Sequence, residues 1–118
     1  MRGIRGAITV ASNTKKEILK ASSELINTMI KSNDVKKQNI VSIIFTATSD
    51  LNQEYPAVAA RKLGYTKIPL MCYQEMSVKN SLKKCIRCMI YINRDCNLNE
   101  ISHIYLKEAK SLRPDLIN

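Results

Sequence analysis

Arg87 stands inside Cys85-Ile86-Arg87-Cys88-Met89-Ile90-Tyr91-Ile92, an unbroken apolar run without Gly or Pro that predicts a buried β-strand. Alternation sets Cys85, Arg87, Met89 and Tyr91 on one face and Ile86, Cys88, Ile90 and Ile92 on the other. A guanidinium in the middle of such a strand is costly to bury unless an anion meets it. Glu75, just before the turn leading into the strand, is the candidate partner. The two either close a structural ion pair or help to build an anion site. A second arginine, Arg5, lies between Gly3-Ile4 and Gly6, where the glycines allow close backbone approach. From spacing alone, an exposed arginine at a strand start is the simpler reading.

The other reactive side chains do not assemble into a known chemistry. Cys85 and Cys88 form a C-x-x-C, but within one strand they point to opposite faces and cannot chelate one ion together. With a single His in the chain, no metal site is expected, and the four cysteines read as structural. No Ser-His-Asp or Cys-His arrangement and no Gly-rich phosphate loop is present. The formal net charge of +9 raises nucleic acid as a partner, yet the lysines are scattered, Trp is absent and Phe occurs once. The same balance suits electrostatic steering of a small anionic substrate.

At 118 residues the chain reads as one domain spanning 1–118, with an ordinary 45% hydrophobic content. The first residues lack a signal peptide's apolar core, and no run reaches membrane-spanning length, so a cytoplasmic protein away from membranes is expected. Ile4 to Val10 reads as the first strand. Thr14-x-x-Glu17 matches a capping box, and Ile18, Leu19, Leu25, Ile26, Met29 and Ile30 give an amphipathic helix to about Lys31. Ile40 to Thr48 is a second strand. Tyr55-Pro56 opens a short helix, Ala57 to Leu63, closed by Gly64. Ile68 to Cys72 gives a third strand, at an edge because of Pro69. Cys85 to Ile92 is the fourth, Ile101 to Leu106 the fifth, and Leu112-Arg113-Pro114-Asp115-Leu116 a terminal turn. The expected fold is α+β: a mixed, mostly antiparallel sheet of about five strands with one long and one short helix on one face. One helical layer leaves sheet uncovered, and in so short a chain oligomerisation is the usual way to bury it.

Several segments together carry a resemblance: Arg2-Gly3-Ile4-Arg5-Gly6-Ala7, Ala47-Thr48-Ser49-Asp50-Leu51, Tyr55-Pro56-Ala57 with Arg61, Cys72-x-Gln74-Glu75-Met76, and Leu82 to Arg87. His103-Ile104-Tyr105-Leu106 and Leu112-Arg113-Pro114-Asp115-Leu116 complete it. In order and spacing this set resembles the AroH-type chorismate mutases, small α+β enzymes that work as homotrimers around a barrel-like core. The resemblance implies conversion of chorismate to prephenate by an intramolecular Claisen rearrangement, with no cofactor. It further implies that Arg87 bridges the ether oxygen and the side-chain carboxylate, and that Arg5 holds a carboxylate with Tyr105. Glu75 would accept the ring hydroxyl, with Cys72 beside it. Tyr55, Ala57 and Arg61, with Leu70 to Cys72 (Met71 included), would come from the neighbouring subunit, and Leu112 and Arg113 would cover the mouth.

Val58 stands where a lysine is common in that family, Met71 where a small hydroxyl residue is common, and Tyr55 where Phe is frequent. These departures bear on affinity and access more than on chemistry. Two other classes compete. A Rid-like trimeric imine hydrolase would not need Glu75 ahead of the arginine strand. A basic nucleic-acid-binding module would show retention that falls steeply with salt.

Overall fold

The computed structural model describes residues 1–116. Five strands form one sheet in the order β3-β2-β4-β1-β5: β1 Arg2–Thr9, β2 Ile40–Ala47, β3 Leu70–Gln74, β4 Cys85–Ile92 and β5 Ile104–Leu106. The arginine-bearing β4 is the central strand. It runs antiparallel to β1 and β2, while β3 and β5 add in parallel at the two edges. The sheet is therefore mixed, with an antiparallel centre and parallel flanks.

Two helices pack on one face. The long one, α1 (Lys15–Ser32), starts where the Thr14 hydroxyl accepts the Glu17 N–H at 3.2 Å, one half of the expected capping box; the Thr14 N–H donates to Ser12 O at 2.9 Å instead of to Glu17. The short one, α2 (Pro56–Lys62), begins with Pro in its first turn and ends before Gly64, whose φ of +101° is the left-handed closure expected there. Ile18, Leu25, Ile26 and Met29 of α1 meet Ile4, Ile8, Ile43, Phe45, Ile86, Ile90 and Ile92 of the sheet, all fully buried. Gly6 of β1 faces the Met29 and Leu25 side chains of α1. A methyl group there would meet the Met29 sulfur, so a larger residue would force the Met29 and Leu25 side chains to shift.

Several boundaries differ from the sequence reading by one to three residues, and two of them have a visible cause. The third strand begins after Pro69, not at Ile68, because Pro69 has no N–H to give; its carbonyl does accept Ile43 N–H at 3.0 Å. The fifth strand is only Ile104–Leu106, because side chains replace the ladder in the preceding residues. Asn33, buried at the end of α1, donates to Ser102 O and accepts Ser102 N–H, at 2.9 and 2.8 Å. The opposite face of the sheet has little cover. A turn of 3₁₀ helix at Lys107–Leu112 folds over one end, where Ala109 seals Ala7 and Cys85 with Leu82, Tyr105 and Leu112 packed around them.

Candidate active site

Strand register builds the site on that bare face. Thr46 of β2 pairs with Tyr73 on one side and Arg87 on the other; Arg87 pairs with Ala7, and Ala7 with Tyr105. These five residues form one row across all five strands. The adjacent row holds Met71, Ile44, Met89 and Arg5. Side chains sharing a face in neighbouring strands stand about 5 Å apart. Arg5 and Arg87 are thus diagonal neighbours, with Tyr105 flanking both. All three line a cavity of about 270 Å³, together with Ile44, Thr46, Glu75 and Met89.

Arg87 is not buried, contrary to the expectation from its apolar strand. Its side chain is 51% exposed, because the helices cover only the other face of β4. Desolvation is therefore modest, and one carboxylate suffices as a partner: Glu75 Oε2 lies 3.3 Å from Arg87 Nε. The ion pair is present, and half of the Arg87 side chain still stays open beside the cavity. Glu75 continues the β2–β3 pairing by one residue, its N–H donating to Ala47 O at 2.9 Å, which brings its carboxylate back over the bare face. A second cavity adjoins the first at the Glu75–Arg87 pair, and Leu112, Ser111, Lys83 and Cys85 line it. Leu112 thus lines the cavity next to the arginine pair. Burial pushes the Cys85 thiol up to about 11, against the pull of Arg87, so it stays a neutral packing group. Cys88, wholly inside the helical core, is pushed up further.

Arg113 forms a two-contact pair with Asp115, at 3.1 and 2.9 Å, near Tyr105 and Arg5. His103 supports Arg5 from beneath: its Nδ1 accepts the Arg5 backbone N–H at 2.9 Å, which sets the proton on Nε2. Burial first, then the charges of Arg5 and Arg113, hold this imidazole below its usual value of 6.5. The unfolded chain therefore takes up the proton first on acidification. Stability from neutral His103 is complete above the unfolded value and is lost as pH falls through it toward the folded one. Urea midpoints should fall as the pH drops through the ordinary imidazole value of 6.5, and His103→Gln should flatten that fall. Equal slopes in the two proteins would refute the assignment.

The remaining expected residues lie elsewhere. Leu70 and Cys72 share the face of Ile43 and Phe45 and pack on the helical core, opposite to Arg87. Ala57 is buried, so its side chain cannot form a wall; its backbone amide is what reaches Cys72. Burial raises the Cys72 thiol, offset by that amide and by the Arg61 charge, so Cys72, Ala57 and Arg61 form one small cluster. Tyr55 is 67% exposed beside it. Met71 alone of this set faces the same side as Arg87. Within one chain, then, Tyr55, Ala57, Arg61, Leu70 and Cys72 do not meet Arg5, Arg87 and Tyr105. Thr46, which no sequence signal singled out, sits at the centre of the arginine row.

The bare sheet face of this α+β fold gathers two arginines, a tyrosine and a glutamate around one cavity, a set whose chemistry suits a small anion. The chain belongs to the chorismate mutase type I family, whose sequence model matches residues 1–116. Membership makes it an isomerase of that class. It is 43% identical over 117 residues to Chorismate mutase AroH of Bacillus subtilis (strain 168), covering 98% of this chain and 92% of that one. It is 41% identical over 117 residues to Chorismate mutase AroH of Thermus thermophilus, covering 98% and 96%. Among solved structures, a chorismate mutase from Clostridium thermocellum superposes with a TM-score of 0.92 at 44% identity, covering 94% of this chain and 99% of that one.

Proposed function

We propose that this chain rearranges chorismate to prephenate, in phenylalanine and tyrosine biosynthesis in the cytoplasm, at the cavity between Arg5, Arg87, Glu75 and Tyr105. The observation that carries the reading is the convergence of those four side chains on one bare sheet face. The reaction is intramolecular and pericyclic. It needs no nucleophile and no proton transfer, only a substrate held in its compact diaxial form and stabilisation of the charge that develops.

Chorismate is a dianion, and negative charge grows on its ether oxygen as the C–O bond breaks. Arg87, tied to Glu75 through Nε, keeps its terminal nitrogens for that oxygen and the side-chain carboxylate. Arg5, with Tyr105, takes a carboxylate. Glu75 accepts the ring hydroxyl. Arg113 and Leu112 close the mouth. Cys72, Tyr55, Arg61, Leu70 and Met71, with Ala57 through its backbone, complete the wall from a neighbouring subunit of a homotrimer. Met71, Tyr73, Met76 and Val78, on β3 and just beyond it, are large apolar side chains exposed in the single chain, which supports a subunit contact along that edge.

Loss of chorismate absorbance on adding purified protein tests the activity. The rate should stay flat around neutrality, because no proton moves in the chemical step. A bell-shaped profile centred near pH 7 would overturn this mechanism in favour of acid–base chemistry such as imine hydrolysis.

A further inference from the structure

We propose that Thr46 is a positioning residue that keeps Glu75 and Arg87 from closing on each other. The proposal rests on the roles given above to those two side chains. An arginine beside a carboxylate favours a planar, two-contact fork, as Arg113 and Asp115 adopt at 3.1 and 2.9 Å. Glu75 and Arg87 do not. Their charged groups approach at 3.3 Å, Oε2 to Nε, and no two-contact hydrogen-bonded fork joins them.

The cause is visible in the partners of Glu75. The Thr46 hydroxyl donates to the same Oε2 at 2.7 Å, the shortest contact that carboxylate makes among the described residues. The other oxygen, Oε1, accepts the Met76 backbone N–H at 3.2 Å. With Thr46 on one side and Met76 N–H on the other, the carboxylate is held across the end of the arginine. Thr46 is suited to this by register: it pairs directly with Arg87 on β2–β4, and the next residue, Ala47, accepts the Glu75 backbone N–H. Its hydroxyl therefore stands between the row that carries the cation and the loop that carries the anion.

Removing the hydroxyl frees Oε2 to swing onto the guanidinium. The resulting fork would occupy Nε and one terminal nitrogen of Arg87 needed at the ether oxygen and carboxylate, and would turn Glu75 away from the ring hydroxyl. Both losses bear on the transition state. Thr46→Val, which keeps the shape, should lower kcat about tenfold to a hundredfold, the range for a hydrogen bond to a charged group. Thr46→Ser should return to within about threefold of wild type.

A cycle with Glu75→Gln separates this from a packing effect. A neutral amide cannot form the ionic fork, so Thr46→Val should add little once Glu75 is Gln. The thermal midpoint reports folding, and Thr46→Ala replaces Thr46→Val in the cycle if the valine variant does not fold. The proposal is overturned if the hydroxyl-free variant turns over like wild type while Glu75→Gln is impaired. Failure of serine to rescue, or independent multiplication of the two effects, overturns it equally. If Glu75→Gln itself retains wild-type turnover, the role of Glu75 is what fails.

Discussion

Replacing Arg87 by Ala should lower kcat by at least about 10²–10³, the cost of deleting one fixed donor to a developing oxyanion. The reason lies in its setting. Arg87 occupies the middle row of the central strand, flanked by Ala7 and Thr46, with its Nε anchored on Glu75. The guanidinium is therefore aimed by the backbone and a single side-chain contact before substrate arrives. Charge on the ether oxygen grows only as the bond breaks, so a cation waiting there stabilises the barrier top more than the bound substrate. The loss should fall on kcat more than on KM. Arg87→Lys should recover part of it, since the charge returns without the planar fork. Citrulline at this position keeps shape and hydrogen bonds while deleting charge. Turnover within tenfold of wild type for the citrulline or alanine protein would remove the electrostatic role.

How much of this was readable in the chain differs by residue. The face assignments in β4 were legible because alternation is a strict property of strands: Ile86, Cys88, Ile90 and Ile92 are buried against the helices, and Arg87 faces away. The start of α1 was legible from Thr14 and Glu17, and the end of α2 from Gly64. What alternation cannot tell is whether the second face has a cover. Arg87 was expected to be buried because its strand neighbours are apolar, yet no helical layer covers that side: the turn at Lys107–Leu112 and the loop from Glu75 to Lys83 reach it and leave half of the guanidinium side chain open. The overlong fifth strand has a different origin. Ile101 to His103 has strand-like composition, but Asn33 and the Arg5 backbone claim its hydrogen-bonding groups through side chains and ring nitrogen, a tertiary fact. Thr46 carried no local signal at all. A threonine in a strand is ordinary, and its meaning comes from the register that sets it across from Arg87 and beside Glu75.

The division of the proposed site between the two faces of the sheet leads to the other large effect. Arg5, Arg87 and Tyr105 stand on the bare face, whereas Arg61, Ala57 and Cys72 cluster at the helical side of the β3 edge. No rotation of side chains brings the two sets together in one chain. In a cyclic trimer with head-to-tail contacts, each cavity takes its bare face from one subunit and its wall from the next. Two variants, each damaged in a different half, should then repair one another. Arg87→Ala and Arg61→Ala, each with much reduced turnover alone, should regain activity when unfolded together and refolded as a mixture. At equal proportions and random assembly, about one cavity in four draws both its face and its wall from undamaged halves, so roughly a quarter of wild-type turnover should return. Mixing the folded proteins without subunit exchange should restore nothing, which separates complementation from simple addition. Sedimentation should show the refolded mixture at three times the chain mass. If refolded mixtures stay at the sum of the separate activities while each variant is a trimer, the cavity is complete within one chain and the wall assigned to Arg61 is wrong.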